Sequence, residues 1–216
     1  MGDLFSFLID FVLHIDEHLG EIIAAYGFLT HLILFMIVFC ETGLVVTPFL
    51  PGDSLIFAAG AFATRGDLNL MVLWFLLLFA AILGDTVNYH IGKVFGHKLV
   101  KPDSRFIKQR YIEQTERFFD RHGGKTIILA RFVPFVRTFA PFVAGIGRMR
   151  YSYFLSYNAL GGFAWVTLFL FLGFFFGTMP IVEKNFSLVI FAIIGISVMP
   201  PIVTWLRARF AKNKKS

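Results

Sequence analysis

Apolar blocks long enough to cross a bilayer alternate along this chain with short polar turns, and two of the apolar blocks are interrupted by proline. Residues 3–24 begin with Leu4, Phe5, Leu8, Ile9, Phe11 and Val12, while Asp10, His14, Asp16, Glu17, His18 and Glu21 fall later. That order predicts an amphipathic helix over residues 1–25, lying at the membrane interface with its polar end in water. A first span follows from Tyr26 to about Val46, with His31 near its start and Glu41 towards its end. After a broken stretch and a polar turn at Thr64 to Asn69, a second span covers Leu70 to Gly92 and carries Asp85, Asn88, Tyr89 and His90 in its second half. A third runs from Tyr151 to Gly177. A connector with Glu183 and Lys184 leads to a fourth, about Ser187 to Leu206. Residues 26–206 form one membrane domain on this reading.

The breaks matter most. Cys40 to Ala63 places Glu41, Pro48, Pro51, Gly52 and Asp53 inside a run otherwise apolar enough for a bilayer, and Arg131 to Gly147 does the same with Arg131, Pro134, Arg137, Pro141 and Gly145. Proline lacks an N–H and clashes with the preceding turn, so neither stretch can be one straight helix. Broken backbone at membrane depth survives only where protein or a wet cavity satisfies it. Both stretches are therefore expected to be re-entrant hairpins lining a site. Pro48-Phe49 recurs as Pro134-Phe135, Ala59-Gly60 as Ala144-Gly145 and Gly92 as Gly177, at separations of 85 or 86 residues. The halves, about 41–92 and 126–177, read as an inverted repeat, the arrangement that places a transporter's site at the midplane.

Composition fixes the class. With 216 residues, 57% hydrophobic, 29 Phe and 16% charged, and a mean hydropathy of +0.73, the chain is an all-α polytopic membrane protein rather than a soluble domain. The first apolar run lacks a preceding basic residue and a cleavage site of small residues, so it does not read as a removable signal. The single Cys40 excludes a disulfide framework. Residues 1–64 hold no Lys or Arg, and all 20 basic residues follow. They gather in an amphipathic segment, 93–125, and in the tail, 207–216, both cytoplasmic by the positive-inside rule. Within the first, Arg110, Arg117 and Arg121 can meet anionic headgroups while Phe118 and Phe119 dip into lipid. These basic residues flank spans without aromatic interleaving, which argues against nucleic acid as a partner. Two crossings between the basic segments keep both cytoplasmic. The second hairpin then opens inwards and the first outwards, with both termini in the cytoplasm.

Charged side chains at the bilayer centre cost at least about 2.5–3.5 kcal/mol on insertion scales, so they pair or line a wet path. Glu41, Asp53, Asp85, Arg131 and Arg137 are the candidates. The arginines suit an anion because their planar forks grip phosphate oxygens in pairs. The acids suit proton loading or gating, since partial burial brings a carboxyl towards neutrality. The plainer alternative is a set of static ion pairs bracing the hairpins, and Asp85 with Asn88 and Tyr89 fits bracing as well as transport. His14 and His18 stand four apart but read as a solvated face, and no metal or other cofactor is expected. Gly123-Gly124-Lys125-Thr126 lacks the upstream glycine of a phosphate loop, where Phe119 stands instead. Gly92/Gly96 and Gly173/Gly177 have the spacing of helix packing. With no nucleophile constellation, an enzyme is not expected.

Glu41 with Pro51-Gly52-Asp53, Gly84-Asp85 with Tyr89 and Gly92, and the run Arg131-Phe-Val-Pro134-Phe-Val-Arg137-Thr-Phe-Ala-Pro141 with Ala144-Gly145 together resemble the bacterial DedA family, also called the VTT or SNARE-associated-like domain. The resemblance covers nearly the whole chain. It implies a polytopic protein of the bacterial inner membrane with two opposed re-entrant helices, and movement of lipid between leaflets. Undecaprenyl phosphate or a related anionic phospholipid is the implied cargo. It further implies proton-gradient dependence, with the positions matching Glu41, Asp53, Arg131 and Arg137 required. A homo-oligomer is allowed but not demanded. The rival expectations are a proton-coupled antiporter for small cations or drugs, and a non-transporting envelope scaffold.

Overall fold

Residues 15–44, 52–99, 123–193 and 195 are described by the computed structural model of the chain. The expectations resting on residues 1–14, on Pro48 and Pro51, on 100–122 and on 196–216 lie outside them. Every regular element among the described residues is helical. Helix α1 (Ile15–Tyr26) leads through a 3-10 turn at Gly27–Leu29 into α2 (Thr30–Gly43), and α3 (Gly52–Arg65) and α4 (Leu70–Leu99) complete the first half. The second half contains α5 (Lys125–Ala130), α6 (Pro134–Ile146) and α7 (Tyr151–Phe176), followed by the short α8 (Pro180–Lys184) and a helix over 186–193.

Three helical runs are long and apolar enough to cross a membrane: Glu17–Gly43, Leu70–Phe95 and Tyr151–Phe176. Each of the latter two packs one face and exposes another, Met71, Phe75 and Phe79 lining the open side of α4 at four-residue spacing. An apolar face of that length needs lipid as its neighbour. The first run is not straight. Gly27 takes φ +52°, a left-handed conformation that favours glycine, and the Thr30 hydroxyl donates to the Ile22 carbonyl at 3.3 Å. Eight residues of straight helix would hold those groups about 12 Å apart, so α1 folds back from the axis of α2. The expected boundary at Tyr26 is thus a sharp bend. Of the expected fourth span, residues 187–193 and 195 are described and helical.

Helix α2 runs beside α4 in the same direction. At their starts the Asn69 backbone N–H donates to His31 Nε2 at 3.3 Å, and at the end of α2 Gly43 lies against Gly84, in the middle of α4. There α2 stops while α4 continues to Leu99. Helix α3 then returns to the turn before α4, where Gly66 takes φ +87°. In the second half α5 ends in a turn at Arg131–Val133, with the Val133 N–H on the Ala130 carbonyl at 3.0 Å. Val133 is extended and Pro134 takes the first position of α6, where its missing N–H costs nothing.

Each outgoing arm packs against the long helix of the other half. A β-carbon on Gly60 of α3 would collide with the Leu170 carbonyl oxygen and stand 2.8 Å from the Phe174 nitrogen; one on Gly145 of α6 would collide with the Tyr89 carbonyl oxygen and stand 2.8 Å from the Lys93 nitrogen. From the other side, Gly173 meets the Phe57 carbonyl and Gly92 the Phe142 carbonyl. These are two copies of one backbone-to-backbone crossing. Gly92 therefore answers to Gly173, four residues before the Gly177 that sequence spacing suggests. Gly145 serves close packing rather than a break. Pro141 is likewise a correction: it lies inside α6, which continues through it. The helix gives up one hydrogen bond there and is held by its contact with α4.

Gly60→Ala and Gly145→Ala are expected each to lower the melting temperature of the solubilised protein, by comparable amounts, at about 1–3 kcal/mol of overpacking apiece. Gly20→Ala, whose β-carbon would find its nearest neighbour at 3.6 Å, should leave it unchanged. A melting temperature unmoved by Gly145→Ala would contradict the crossing.

Candidate functional site: a buried layer of ion pairs

Two apolar cores flank a polar layer. Along α4 the first core takes Leu73, Leu77, Ala80 and Ala81 and the second takes Tyr89; along α7 the first takes Trp165, Val166 and Leu170 and the second takes Phe154. Asp85 and Asn158 fall between them, both buried. The two breaks deliver the remaining charges to this level, because Glu41 is in the last turn of α2, Asp53 in the first turn of α3, Arg131 just past α5 and Arg137 in the first turn of α6.

All five expected charged residues pair. Arg137 reaches from the second half to both acids of the first, one guanidinium nitrogen on Glu41 Oε1 and another on Asp53 Oδ1. Arg131 donates to Asp85 Oδ2 at 2.5 Å, to the Asn158 side-chain oxygen and, at 3.3 Å, to the Ala81 carbonyl. The Arg131 and Asp85 side chains are 4% and 5% exposed, Arg137 and Glu41 9% and 2%. Unpaired charges could not persist at such burial, and removing one partner strands the other. Three carboxylates face two guanidiniums. Glu41 Oε1 also accepts the Gly52 N–H at 3.1 Å, whereas Oε2 has no hydrogen-bond partner among the described residues.

Residues that sequence reasoning left out complete the layer. The Trp165 indole N–H donates to Asp53 Oδ1 at 2.8 Å, and its ring centre lies 5.1 Å from the Arg137 guanidinium carbon and 5.9 Å from that of Arg131. Asn158 holds Arg131 with its oxygen and donates its amide to the Ile82 carbonyl at 3.1 Å. Gly161 and Gly162 leave room for the arginine, since a β-carbon on Gly161 would stand 3.0 Å from Arg131 Cδ. Asn158, Gly161, Gly162 and Trp165 recur at helical spacing on one face of α7. A polar and small-residue stripe through an apolar span was the available signal. Asn88, which the sequence put beside Asp85, ties the half-helices to α4 by donating to the Thr42 carbonyl at 3.1 Å and the Thr138 carbonyl at 2.8 Å. The first of these satisfies a carbonyl left over at the end of α2. Tyr89 donates to the Met149 carbonyl at 2.5 Å and braces the second core instead of joining the charges.

The described residues contain no cluster of three or more His, Cys, Asp or Glu able to hold a metal ion. His18 lies 3.8 Å from Glu21 on the exposed side of α1, and His14 is outside the described residues.

Known proteins resemble this chain over most of its length. The VTT domain matches residues 50–175. Protein DedA of Escherichia coli (strain K12) is 55% identical over 212 residues, covering 97% of this chain and 97% of its own. An uncharacterized membrane protein of Mycobacterium tuberculosis is 42% identical over 183 residues, covering 83% of this chain and 80% of its own. Inner membrane protein YghB of Escherichia coli (strain K12) is 32% identical over 177 residues, covering 82% and 78%. No solved structure matches. With the domain spanning more than half the chain, the apolar helices and the buried charges around it, the protein is a membrane protein of the DedA family, the family that carries the VTT domain.

Proposed function

We propose that this chain moves an anionic lipid, undecaprenyl phosphate or a related anionic phospholipid, between the leaflets of the bacterial inner membrane, drawing on the proton gradient. The observation that carries this reading is the meeting of both arginines with three carboxylates in one buried layer at the tips of two broken helix pairs. Arg131 and Arg137 would take the phosphate. Glu41 and Asp53 would give up Arg137 as the anion arrives, and the carboxylate excess gives a proton somewhere to go, Glu41 Oε2 being a buried carboxylate oxygen without a hydrogen-bond partner among the described residues. Asp85 and Asn158 would hold Arg131 in place. Asn or Gln could not substitute for the arginines, because only a guanidinium offers a permanent charge in a bidentate fork.

On this reading α2 with α3 and α5 with α6 are the two re-entrant pairs, and α4 and α7 cross fully. The support is that α2 keeps pace with α4 only to Gly84. Because α1 folds back beside the end of α3, with Leu19 and Phe62 in one core, α1 belongs on the outer face with the turn at 66–69. This departs from the cytoplasmic placement suggested by charge alone, while the basic tail stays cytoplasmic. In a Cys40→Ser background, Glu17→Cys should react with an impermeant maleimide added to spheroplasts and Ser216→Cys should not; the reverse pattern contradicts the assignment.

A second reading has its own observation: both guanidiniums are already paired with carboxylates, as a static brace would have them. Leaflet exchange in proteoliposomes separates the two. The transporter reading expects exchange of undecaprenyl phosphate faster than of phosphatidylglycerol, responsive to a pH gradient, and abolished by Arg137→Ala or Arg131→Ala in protein that still elutes as folded. A brace expects no exchange from the wild type, and a cation antiporter expects transport indifferent to lipid phosphate.

The brace component has a separate measure. Asp85→Asn leaves Arg131 buried without its carboxylate and is expected to cost about 3 kcal/mol. Adding Arg131→Gln should recover at least half of the lost melting temperature. Additive losses in the double variant would show that the two residues do not act as a pair.

A further inference from the structure

The Trp165 side chain is 1% exposed and stands where both arginines border it. An apolar core position could be filled as well by Phe or Leu, yet here the indole N–H is spent on Asp53 Oδ1, the same oxygen that Arg137 binds. Two further features set this ring apart from Trp74, the other described tryptophan. Trp74 donates to the Thr167 hydroxyl on the neighbouring long helix at 2.9 Å, a neutral partner rather than an acid. Trp165 is the aromatic neighbour that both site cations share.

A phosphate gripped by both guanidiniums needs its oxygens about 3 Å from each. The face of an indole is electron-rich, so it attracts a cation and repels an anion. A ring centred 5.1 and 5.9 Å from the two cations is therefore a competitor that an anion would have to displace from their faces, and it keeps the cations partly compensated meanwhile. The N–H bond ties the same ring to an acid that must release Arg137. Moving one side chain would thus open the anion's place and loosen the Arg137–Asp53 pair.

Resting on the transport reading above, we propose that Trp165 is a plug: its indole occupies the seat of the lipid monophosphate between Arg131 and Arg137 and leaves that seat when the monophosphate binds. Trp165 is a positioning residue for the empty site, setting when the arginines become available.

The chain has three tryptophans, so Trp74→Phe with Trp205→Phe leaves Trp165 as the sole indole emitter. In this background, solubilised protein is titrated with farnesyl phosphate, with farnesol and with inorganic phosphate, while equilibrium dialysis of labelled farnesyl phosphate reports binding independently. The expected result is a red shift of Trp165 emission and a severalfold rise in acrylamide quenching with farnesyl phosphate and none with farnesol. A response to inorganic phosphate as well assigns the displacement to the phosphate group alone; a response to farnesyl phosphate alone assigns it to the lipid. Both sustain the plug. Binding without any change in Trp165 emission or quenching overturns the plug and leaves the transport reading standing, whereas no binding overturns both. As a second variant, Trp165→Phe keeps a ring but releases Asp53, and should bind farnesyl phosphate severalfold more tightly than wild type. Unchanged or weaker affinity in folded Trp165→Phe protein overturns the tie.

Discussion

A guanidinium buried away from water must find an anion, and in this fold that requirement joins the two halves of the chain. Arg137 belongs to the second half and its partners Glu41 and Asp53 to the first. Arg131 repeats the pattern with Asp85. Neither half could bury its charges alone without several kcal/mol of penalty per ion. The ion pairs also explain why the helices break where they do. A straight helix at these depths would carry its side chains along its flank, while a helix end brings backbone N–H groups and a charged side chain together, as the Gly52 N–H and Arg137 meet on Glu41.

The glycine crossings are the apolar counterpart of the same design. Because each outgoing arm lies on the long helix of the opposite half, the arms cannot move independently of the repeat that they do not belong to. Motion of α3 against α7, or of α6 against α4, would change the separation of Arg137 from its acids. On the transport reading, that geometry would couple an anion in the charged layer to how the arms sit, as alternating exposure of a midplane site requires. The Trp165 ring, on α7 and bonded to Asp53 in the first turn of α3, stands at the junction of the two.

Much of this architecture can be read from residue order alone. Charges in apolar surroundings lead to the polar layer, and Pro134 marks the start of α6; the five charged residues singled out by their cost in a bilayer pair with one another there. Less is legible where identity and spacing conflict with packing. Pro141 reads as a breaker in isolation, yet the helix continues through it and is packed backbone to backbone against α4 through Gly145 and Gly92. The repeat register between Gly92 and Gly177 looks regular, but the long helices are offset from the arms by one turn, and sequence spacing cannot see an offset between packed elements. Residues 26–46 read as a span from hydropathy, and as far as Gly43 they belong to a helical run long and apolar enough to cross a membrane, but hydropathy measures polarity and not direction. Only the Gly43–Gly84 contact reveals that α2 stops midway along α4. Trp165 escapes notice for the opposite reason, because a tryptophan in an apolar helix carries no mark of the acid that it binds.

The central claim is that Arg131 and Arg137 trade carboxylates for a lipid phosphate. The most direct test is a solid-state NMR measurement of nitrogen–phosphorus dipolar coupling between ¹⁵N-arginine protein and undecaprenyl phosphate in bilayers. Arg131→Ala and Arg137→Ala samples assign the signals. The account expects guanidinium nitrogens within about 4 Å of the lipid phosphorus, as a bidentate contact demands, with the coupling lost in either variant. Full lipid occupancy with no coupling to either arginine would contradict it.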